Sequence, residues 1–470
     1  FYFLWVLLGT IMMDSKLYFG WSIPGIRYVD EFITAAITLC LCGQMTMVRR
    51  LRGELSPFIF CVLFLLGVIG LSAYVNGSSK FIVFKFVSSY VGFVPILLLL
   101  LEYTSRPLPR TIMRLLVALL LLQLALNIGW YFGFNPIINY DLGGPDFAHG
   151  TLGGCNFVAY FSVFMILLCV SRLLEHRRVP GFSRGLAVFV AAIAFIQLLF
   201  TFTVHALFLL ILVGGLQLLL GVRLRYLQAQ RLIILVILGI TGGGLALLVV
   251  SVAGVGEAIF TFFDPQVLAM RFHALMTGPT ANIYRNVFVD IWHEVPVPLL
   301  GAGPGGFGSS VAIEYGAPLT RKYIWVYYLT TSGREMIRGS SITQSLISGV
   351  SAIWGDLGPF GTFFYFGLFI IPARRVWRNL TGFLYHDPFQ RVLSRVYMPY
   401  MTMMLLIILL QDTFWNDVVQ CSIIFLNAYL WDPIATATPA APDDKSAAPP
   451  ARAGPLPSIP RFLPVGRRGA

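Results

Sequence analysis

Charged residues are scarce in this sequence. Asp, Glu, Lys and Arg make up 11% of the 470 residues, whereas about 25% is typical of a soluble globular protein. Hydrophobic residues make up 57%, and the mean hydropathy is +0.79. The lack of charge excludes an ordinary soluble domain and predicts an integral membrane protein.

Acidic residues are fewer than basic ones, and the formal net charge is +12. In a soluble protein this excess would suggest a nucleic-acid partner. In a membrane protein, short cytoplasmic loops collect Lys and Arg, so we expect no nucleic acid. The six cysteines lie in or beside apolar runs, and no two have the CxxC spacing of a metal site. We therefore expect no structural disulfide, metal or cofactor.

Apolar runs dominate the rest of the chain. Because about 20 apolar residues suffice for one crossing, these runs predict an all-α, polytopic protein of about twelve transmembrane helices. Phe1 lies inside the first run with no basic leader, which predicts a truncated start and not a signal peptide. The predicted spans are 1–14 (incomplete), 31–48, 56–75, 81–101, 111–133, 152–174, 185–203, 206–222, 232–252, 357–373, 393–411 and 417–432.

The loops between these runs predict the orientation. Most of the 33 Lys and Arg residues lie beside every second loop, for example Arg177 and Arg374. Since short cytoplasmic loops carry this excess, both termini are predicted to be cytoplasmic. A long loop, about 253–341, then lies outside the cytoplasm, and the amphipathic stretch 342–354 is predicted to be an interfacial or re-entrant helix.

The end of the chain differs in composition from the rest. It is rich in proline and alanine and poor in large apolar residues, so it cannot bury a core. We therefore divide the chain into a membrane domain, 1–432, and a disordered cytoplasmic tail, 433–470.

Ionisable side chains are nearly absent from the middle of the predicted spans, where His205 and Lys85 are the main candidates. A proton pump or ion channel normally needs such groups, so their scarcity disfavours both. Charge is concentrated in the long loop instead. There Arg271 and Arg285 can each hold a phosphate in a bidentate fork, although a solvated loop arginine is an equally ordinary interpretation.

Two further patterns are ambiguous. Residues 301–306 match the dinucleotide pattern GxGxxG, but they follow a proline-rich turn and not a strand, so a nucleotide site is excluded. These glycines allow the backbone to approach a helix or a bulky ligand closely, or form a tight packing turn. His149 and Asn156, which flank the start of the sixth span, can orient a sugar or simply form interfacial hydrogen bonds, and His205 has the same ambiguity.

Four segments together resemble the superfamily of O-antigen ligases and O-antigen polymerases. RNVFVDIW (285–292) and PLLGAGPGGF (298–307) are similar to the outer loop of that superfamily. GDLGPFG (355–361) resembles its acidic entry to the next span, and GTLGGCN (150–156) resembles its Gly-to-Asn element. With the twelve-span layout, the resemblance covers most of the chain up to about residue 432.

The sequence departs from the superfamily at three places. His149 stands where members often have arginine, and Val204-His205-Ala206 stands where they often have Ser-Arg-Gly. Ile347-Ser348 occupies the register of the ligases' presumed catalytic His-Asn pair. The missing histidine favours a polymerase-like member.

The resemblance implies metal-independent, inverting glycosyl transfer at the periplasmic face of a bacterial inner membrane, for O-antigen, capsule or exopolysaccharide. The implied partners are an undecaprenyl-pyrophosphate-linked glycan, the lipid bilayer, a chain-length regulator and a flippase. Arginines would stabilise the leaving pyrophosphate, and a general base would help to deprotonate the acceptor. The implied catalytic residues are Arg271, Arg285, Asp290, Glu314 and Glu335, and the implied substrate-binding residues are His149, Asn156, His205, Trp292, His293, Arg334 and Arg338.

Three functions remain open at this point. The first is polymerisation of lipid-linked repeat units, and the second is a ligase that moves such a glycan to another acceptor. The third is a transporter or flippase of lipid-linked glycans, which predicts a polar path between helices and needs no large outer loop. The aromatic residues of the loop either select the glycan or anchor the loop at the membrane boundary.

Overall fold

The computed structural model describes residues 55–102, 109–131, 155–201, 203–223, 265–266, 269, 279–325, 348–410 and 417–431. Within these ranges the chain is mostly helical and contains no strand, so the predicted all-α class is confirmed there. The predicted spans 1–14, 31–48 and 232–252, most of the loop before 279, and the tail 433–470 lie outside the described residues.

Twelve helices are labelled in chain order over the described residues. They are α1 (Ser56–Val75), α2 (Lys80–Val91), α3 (Phe93–Glu102), α4 (Pro109–Tyr131), α5 (Cys155–Leu174), α6 (Arg184–Phe200), α7 (Val204–Arg223), α8 (Pro279–Phe288), α9 (Ser310–Tyr315), α10 (Gly349–Thr381), α11 (Pro388–Leu410) and α12 (Asp417–Leu430). Short helical turns at Asp290–His293, Pro298–Leu300, Pro318–Thr320 and Arg321–Trp325 flank α9.

Five of these helices, α1, α4, α5, α10 and α11, are long and apolar enough to cross a membrane. Helices α6 and α7 are apolar but shorter. These helices agree with seven of the predicted spans in position, and α1 has the predicted bounds 56–75. The described part of the chain therefore has the character of a membrane protein.

The predicted span 81–101 is two helices, α2 and α3, which meet at Gly92. Pro95 lies in the first turn of α3 and has no N–H to donate to the carbonyl of Val91, so the hydrogen-bond ladder is interrupted there. An apolar run by itself does not show such a break.

The predicted helix 342–354 and the predicted span 357–373 meet in one bent helix. Residues 342–347 lie outside the described residues, and α10 begins at Gly349 and continues to Thr381. It bends at Gly358, which has φ 66° and ψ −171°, immediately before Pro359. The short segment before the bend is therefore continuous with the membrane-length segment after it.

The centre of the described bundle is formed by α5 and α11. Most residues of α5 are buried, and α5 packs against α6, α7 and α11. Helix α10 packs against α1 and α11. On the outside, large apolar side chains such as Leu63, Ile211 and Phe363 are exposed, at 62%, 72% and 74%. Apolar residues on both faces are typical of helices surrounded by lipid.

A buried charge cluster joins α5, α6 and α11 at one end of the bundle. The Glu175 carboxylate accepts from Arg395 Nη2 at 3.1 Å and from Arg391 Nε at 3.2 Å. Its main-chain carbonyl accepts from Arg184 Nη2 at 3.2 Å. Glu175 and Arg395 are almost completely buried. The cluster therefore links three helices through one residue, by its carboxylate and its main-chain carbonyl.

Several cations hold Glu175 in its ionised form. Burial by itself acts to raise the pKa of the carboxyl group. The main-chain N–H of Arg177 and the guanidinium groups of Arg391 and Arg395 outweigh burial, so the pKa lies below its ordinary value of 4.5. A carboxyl whose pKa is lowered by folding stabilises the folded state above its unfolded pKa, and this contribution is lost as the pH falls through the folded pKa.

We predict that Glu175→Gln lowers the free energy of unfolding by about 3–5 kcal/mol at pH 7, because it leaves buried guanidinium charge without its counter-ion. The deficit should be constant above pH 4.5 and should shrink at more acidic pH, where the wild-type carboxyl also becomes neutral. Unfolding in detergent at several pH values measures both effects.

The matched control is Glu294→Gln, which removes the carboxylate of an exposed ion pair with Lys322. Surface pairs contribute little, so this variant should unfold much like the wild type. Equal destabilisation by both substitutions would contradict the role assigned to Glu175.

Candidate functional site

The glycine-rich loop 301–308 is hydrogen-bonded directly to the bend of α10. The N–H of Ala302 donates to the carbonyl of Gly355 at 2.8 Å, and the N–H of Gly303 donates to the carbonyl of Asp356 at 2.9 Å. Pro359 has no N–H for the carbonyl of Gly355, so this acceptor is available to the loop. The helix bend thus creates the attachment point of the loop.

The carboxylate of Asp356 holds the other half of the loop. One oxygen accepts from Gly305 N–H at 2.8 Å. The other accepts from Phe307 N–H at 2.7 Å and from Gly308 N–H at 3.0 Å. Asp356 is completely buried. Hydrogen bonds to an ionised acceptor are about twice as strong as neutral ones, so this one side chain restrains four residues of flexible backbone.

Two glycines allow the loop and helix backbones to touch. Gly301 has φ 70° and Gly358 has φ 66°, where side chains other than hydrogen are rarely accommodated. A Cβ atom on Gly301 would lie 2.5 Å from the nitrogen of Gly358, and one on Gly358 would lie 2.4 Å from the oxygen of Leu299. Gly301, the first glycine of the GxGxxG pattern, therefore serves close backbone packing against a helix, which was one of the interpretations predicted.

Helices α1 and α2 and the turn between them contact the loop and the residues that flank it. Ser72 Oγ donates to the carbonyl of Leu300 at 2.6 Å, and Asn76 Nδ2 donates to that of Gly301 at 3.2 Å. The hydroxyl of Tyr90 accepts from the N–H of Ser310 at 3.1 Å. The loop therefore lies between α1, α2 and α10, at the end of the bundle that is opposite Glu175.

Helix α8 packs beside this loop on α10. The rings of Phe288 and Trp292 lie 4.9 Å and 6.5 Å from the ring of Trp354, measured between centroids. A small core beneath them consists of Val287, Ile291, Val295, Phe307, Ile313 and Ala352. Two of the segments that carry the resemblance, 285–292 and 298–307, therefore share one core, and both contact α10.

Arg285 is exposed on α8. Its guanidinium forms no hydrogen bond or ion pair with any residue that the structure describes. Asp290 and Trp292 are half-buried in the following turn, and His293 is exposed. The structure therefore places these four predicted residues on one short stretch beside the loop, with the guanidinium accessible from outside.

A second polar group lies at the start of α5 and α7. The hydroxyl of Tyr160 and Nε2 of His205 are 2.8 Å apart, which is a hydrogen bond. Asn156 lies one turn before Tyr160 on α5, so the two share a helix face. His205 and Asn156 are half-buried. His205 is therefore oriented by a tyrosine that the sequence did not single out.

In the part of the chain that the structure describes, the remaining predicted residues are not brought together with Arg285. Glu314 belongs to α9, but its side chain is outside the described part of the chain. Among described residues, no hydrogen bond or ion pair joins Arg285 to Asn156 or His205, and no cluster of three or more His, Cys, Asp or Glu side chains has the arrangement of a metal site. The residues that fall outside the described ranges are Arg271, His149, Arg334, Glu335 and Arg338.

Sequence reasoning did not include Asp356 among the site residues. It named the motif around this aspartate only as part of the resemblance. The sequence does contain one signal for it: a carboxylate stands beside an apolar run and is followed two residues later by Gly-Pro. Ionisable groups near membrane spans are costly and need partners, so such a carboxylate is expected to bind something. Tyr160, by contrast, looks like any other aromatic residue of an apolar helix.

We predict that Asp356→Asn loosens the loop without unfolding the bundle. The amide presents N–H donors to main-chain N–H groups, and each unsatisfied buried donor costs about 1–3 kcal/mol. Hydrogen exchange should therefore accelerate at the amides of Gly305, Phe307 and Gly308. The control is Asp387→Asn, the same substitution at the start of α11, where the carboxylate accepts from Gln390 N–H and an amide oxygen can still do so. It should leave the three loop amides unchanged. Equal exchange rates in wild type and Asp356→Asn would refute the role assigned to Asp356.

We also predict that Gly358→Ala lowers the free energy of unfolding by at least about 1–3 kcal/mol, the cost of backbone strain at such a dihedral angle. The added methyl group would also collide with the carbonyl of Leu299. Gly214→Ala is the control, because nothing lies within 4 Å of its Cβ position in α7. Chemical unfolding in detergent compares the two, and equal stability of both variants would show that the close approach is unimportant.

Comparison of the sequence with protein-family models and with curated proteins finds no match in either.

Proposed function

We propose that this chain is a membrane glycosyltransferase that polymerises undecaprenyl-pyrophosphate-linked repeat units at the periplasmic face of a bacterial inner membrane. One observation carries the proposal. Segments 298–307 and 355–361, which carry much of the resemblance, form a single hydrogen-bonded unit around Asp356. The exposed Arg285 lies on a helix packed against the same unit. If these short segments resembled the superfamily only by chance, they would not be expected to contact one another in the fold.

The charge at the two ends of the bundle supports the orientation. The Glu175 end carries most of the described arginines, whereas the loop end carries Lys80, Arg285, Arg321 and Lys322. Cytoplasmic ends collect basic residues, so we assign the Glu175 end to the cytoplasm and the loop end to the periplasm. This is the orientation predicted from the loops, and we propose with it cytoplasmic termini and a location in the inner membrane.

In the proposed reaction, a hydroxyl of the acceptor sugar attacks the anomeric carbon of the donor glycan with inversion. The new glycosidic bond forms as the bond to the pyrophosphate oxygen breaks, and the polyprenyl pyrophosphate leaves with the bonding electron pair. The hydroxyl proton passes to a base, for which Asp290, His293, Glu314 and Glu335 are candidates. Negative charge grows on the pyrophosphate during this step, so preorganised cations lower the barrier.

Arg285 is the described residue that suits this role. It is exposed, is bound to no described side chain, and carries a guanidinium, whose planar fork suits phosphate oxygens. Arg271 would complete the pair, with Arg334 and Arg338 as further partners. The Asn156, Tyr160 and His205 group lies at the same end of the bundle and offers hydrogen-bonding groups for sugar hydroxyls. No metal ion is needed for this chemistry.

A ligase is the second candidate. It uses the same donor and the same arginines, but its acceptor is another lipid or a protein. Ile347-Ser348 stands where the resemblance would place the ligases' presumed catalytic histidine, which favours the polymerase. Loss of a ligase would leave long polymers on the carrier, whereas loss of a polymerase would leave single units. A transporter or flippase is the third candidate, with no described feature in its favour.

We predict that Arg285→Ala abolishes long-chain polysaccharide and leaves single repeat units, because loss of one charge-stabilising group slows such reactions by about 10²–10³-fold. Arg285→Lys should be intermediate, since it keeps the charge but loses the bidentate fork. The variants are compared by gel profiles of surface polysaccharide in a deletion strain that expresses each at wild-type level.

Arg378→Ala is the control, because Arg378 is an exposed arginine at the opposite end of the bundle. It should give the wild-type chain-length profile. A normal profile in Arg285→Ala would exclude the proposed role of this arginine.

A further inference from the structure

Helix α8 and the turns after it have two different exposed sides. On one side, Phe288, Val289 and Leu299 are exposed by 38%, 53% and 44%. On the other, His293 and Glu294 are exposed, and Glu294 accepts from Lys322 Nζ at 2.6 Å. That ammonium group holds the pKa of the Glu294 carboxyl below its usual range. Sidedness of this kind is typical of a helix that lies in the plane of a membrane interface.

The position of α8 along the bundle agrees with such a location. Helix α1 has 20 residues, and at 1.5 Å per residue it is about 30 Å long, the thickness of a hydrocarbon core. The residue that follows it, Asn76, donates to the carbonyl of Gly301. The loop that packs against α8 therefore lies at the level where α1 leaves the hydrocarbon.

The exposed apolar stripe of α10 independently indicates that the loop lies at the membrane boundary. Phe360, Phe363 and Ile370 are exposed at helical spacing, and the same face ends at Trp377 and Arg378. Seventeen residues separate Phe360 from Trp377, so this apolar stripe is about 26 Å long. Aromatic and basic residues at its far end are typical of a membrane interface.

The apolar side of α8 is continuous with this lipid-facing stripe. The ring of Phe288 contacts Trp354, one turn before the bend of α10. The carbonyl of Leu299 touches the backbone of Gly358, two residues before the exposed Phe360. The exposed apolar side chains beside the loop thus adjoin the exposed apolar surface of a membrane-length helix. The occupant that fits this position is lipid.

The charge on the apolar side is complementary to a lipid surface. Arg285 precedes Phe288 by three residues and Val289 by four, so the guanidinium stands on the same face of α8 as the exposed apolar pair. Long cationic side chains extend from such a position to the phosphate level while their stems remain among apolar groups.

We propose that α8 is a membrane-docked interfacial helix. Phe288, Val289 and Leu299 insert among the lipids of the leaflet at the loop end of the bundle, and Arg285 binds lipid phosphate. The proposal rests on the exposure of these side chains and on the depth of the loop along α1 and α10, and it holds whether or not the protein transfers glycans. Docking of α8 would place the guanidinium of Arg285 at the level of the lipid headgroups.

The test places a bimane fluorophore on a cysteine at position 289 or, as the matched control, at position 293, in a background without the six native cysteines. The variants are Val289→Cys and His293→Cys, reconstituted in vesicles of phosphatidylethanolamine and phosphatidylglycerol with a doxyl-labelled lipid. An interfacial helix buries its apolar face by about 5–10 Å. The lipid nitroxide should therefore quench the probe at 289 several-fold more strongly than the probe at 293. Aqueous iodide should quench the probe at 293 more strongly than the probe at 289.

Adding Arg285→Glu to the Val289→Cys variant should reduce quenching by the lipid nitroxide several-fold, since a carboxylate is repelled by anionic headgroups. Equal iodide quenching at both positions would overturn the proposal. So would a disulfide between two copies at position 289, because the face would then be an interface between chains.

A second measurement does not depend on the cysteine-free background. A benzoylphenylalanine photocrosslinker replaces Val289 or His293 in the otherwise unaltered chain in the same vesicles without the nitroxide lipid. Crosslinked phospholipid, detected by mass spectrometry, is expected at 289 and not at 293. Its absence at 289, or equal amounts at both positions, would refute docking even if polysaccharide synthesis is normal.

Discussion

The arrangement of the site depends on one buried carboxylate. Asp356 accepts three main-chain N–H groups from a loop that is rich in glycine and has little conformational preference of its own. Without an ionised acceptor, this backbone would lose a large entropy on ordering and would leave buried donors unsatisfied. The carboxylate is in turn stabilised by those donors, which makes loop and helix mutually dependent.

The bend of α10 makes this interaction possible. Gly358 and Pro359 interrupt the helical hydrogen bonds and expose the carbonyls of Gly355 and Asp356 to the loop. A straight helix would present side chains at this point and keep the loop at a distance. Because α8 shares a core with the loop, the same bend also determines where Arg285 stands relative to the membrane-length helices.

The two ends of the bundle use charge differently. At one end, Glu175 is buried among several arginines and links α5, α6 and α11. At the other end, the buried charge of Asp356 is neutralised by main-chain dipoles, and the guanidinium of Arg285 is exposed. The first arrangement stabilises the fold internally. The second keeps a cation accessible to an external anion, whether a lipid phosphate or the pyrophosphate of the proposed carrier.

The sequence by itself determined the membrane character, the positions of the long helices and the stretch that carries Arg285, because hydrophobicity and run length are local properties. It missed the break at Gly92 and the continuity of α10. Pro95 ends one hydrogen-bond ladder whereas Pro359 only bends a helix, and the sequence does not show which of the two a proline will do. Only the tertiary structure decided that Asp356 binds amides 48 to 51 positions earlier in the chain, and that Tyr160 orients His205. The physical reason is that a hydrogen bond between distant segments depends on how helices pack, and no local pattern of residues specifies its partner.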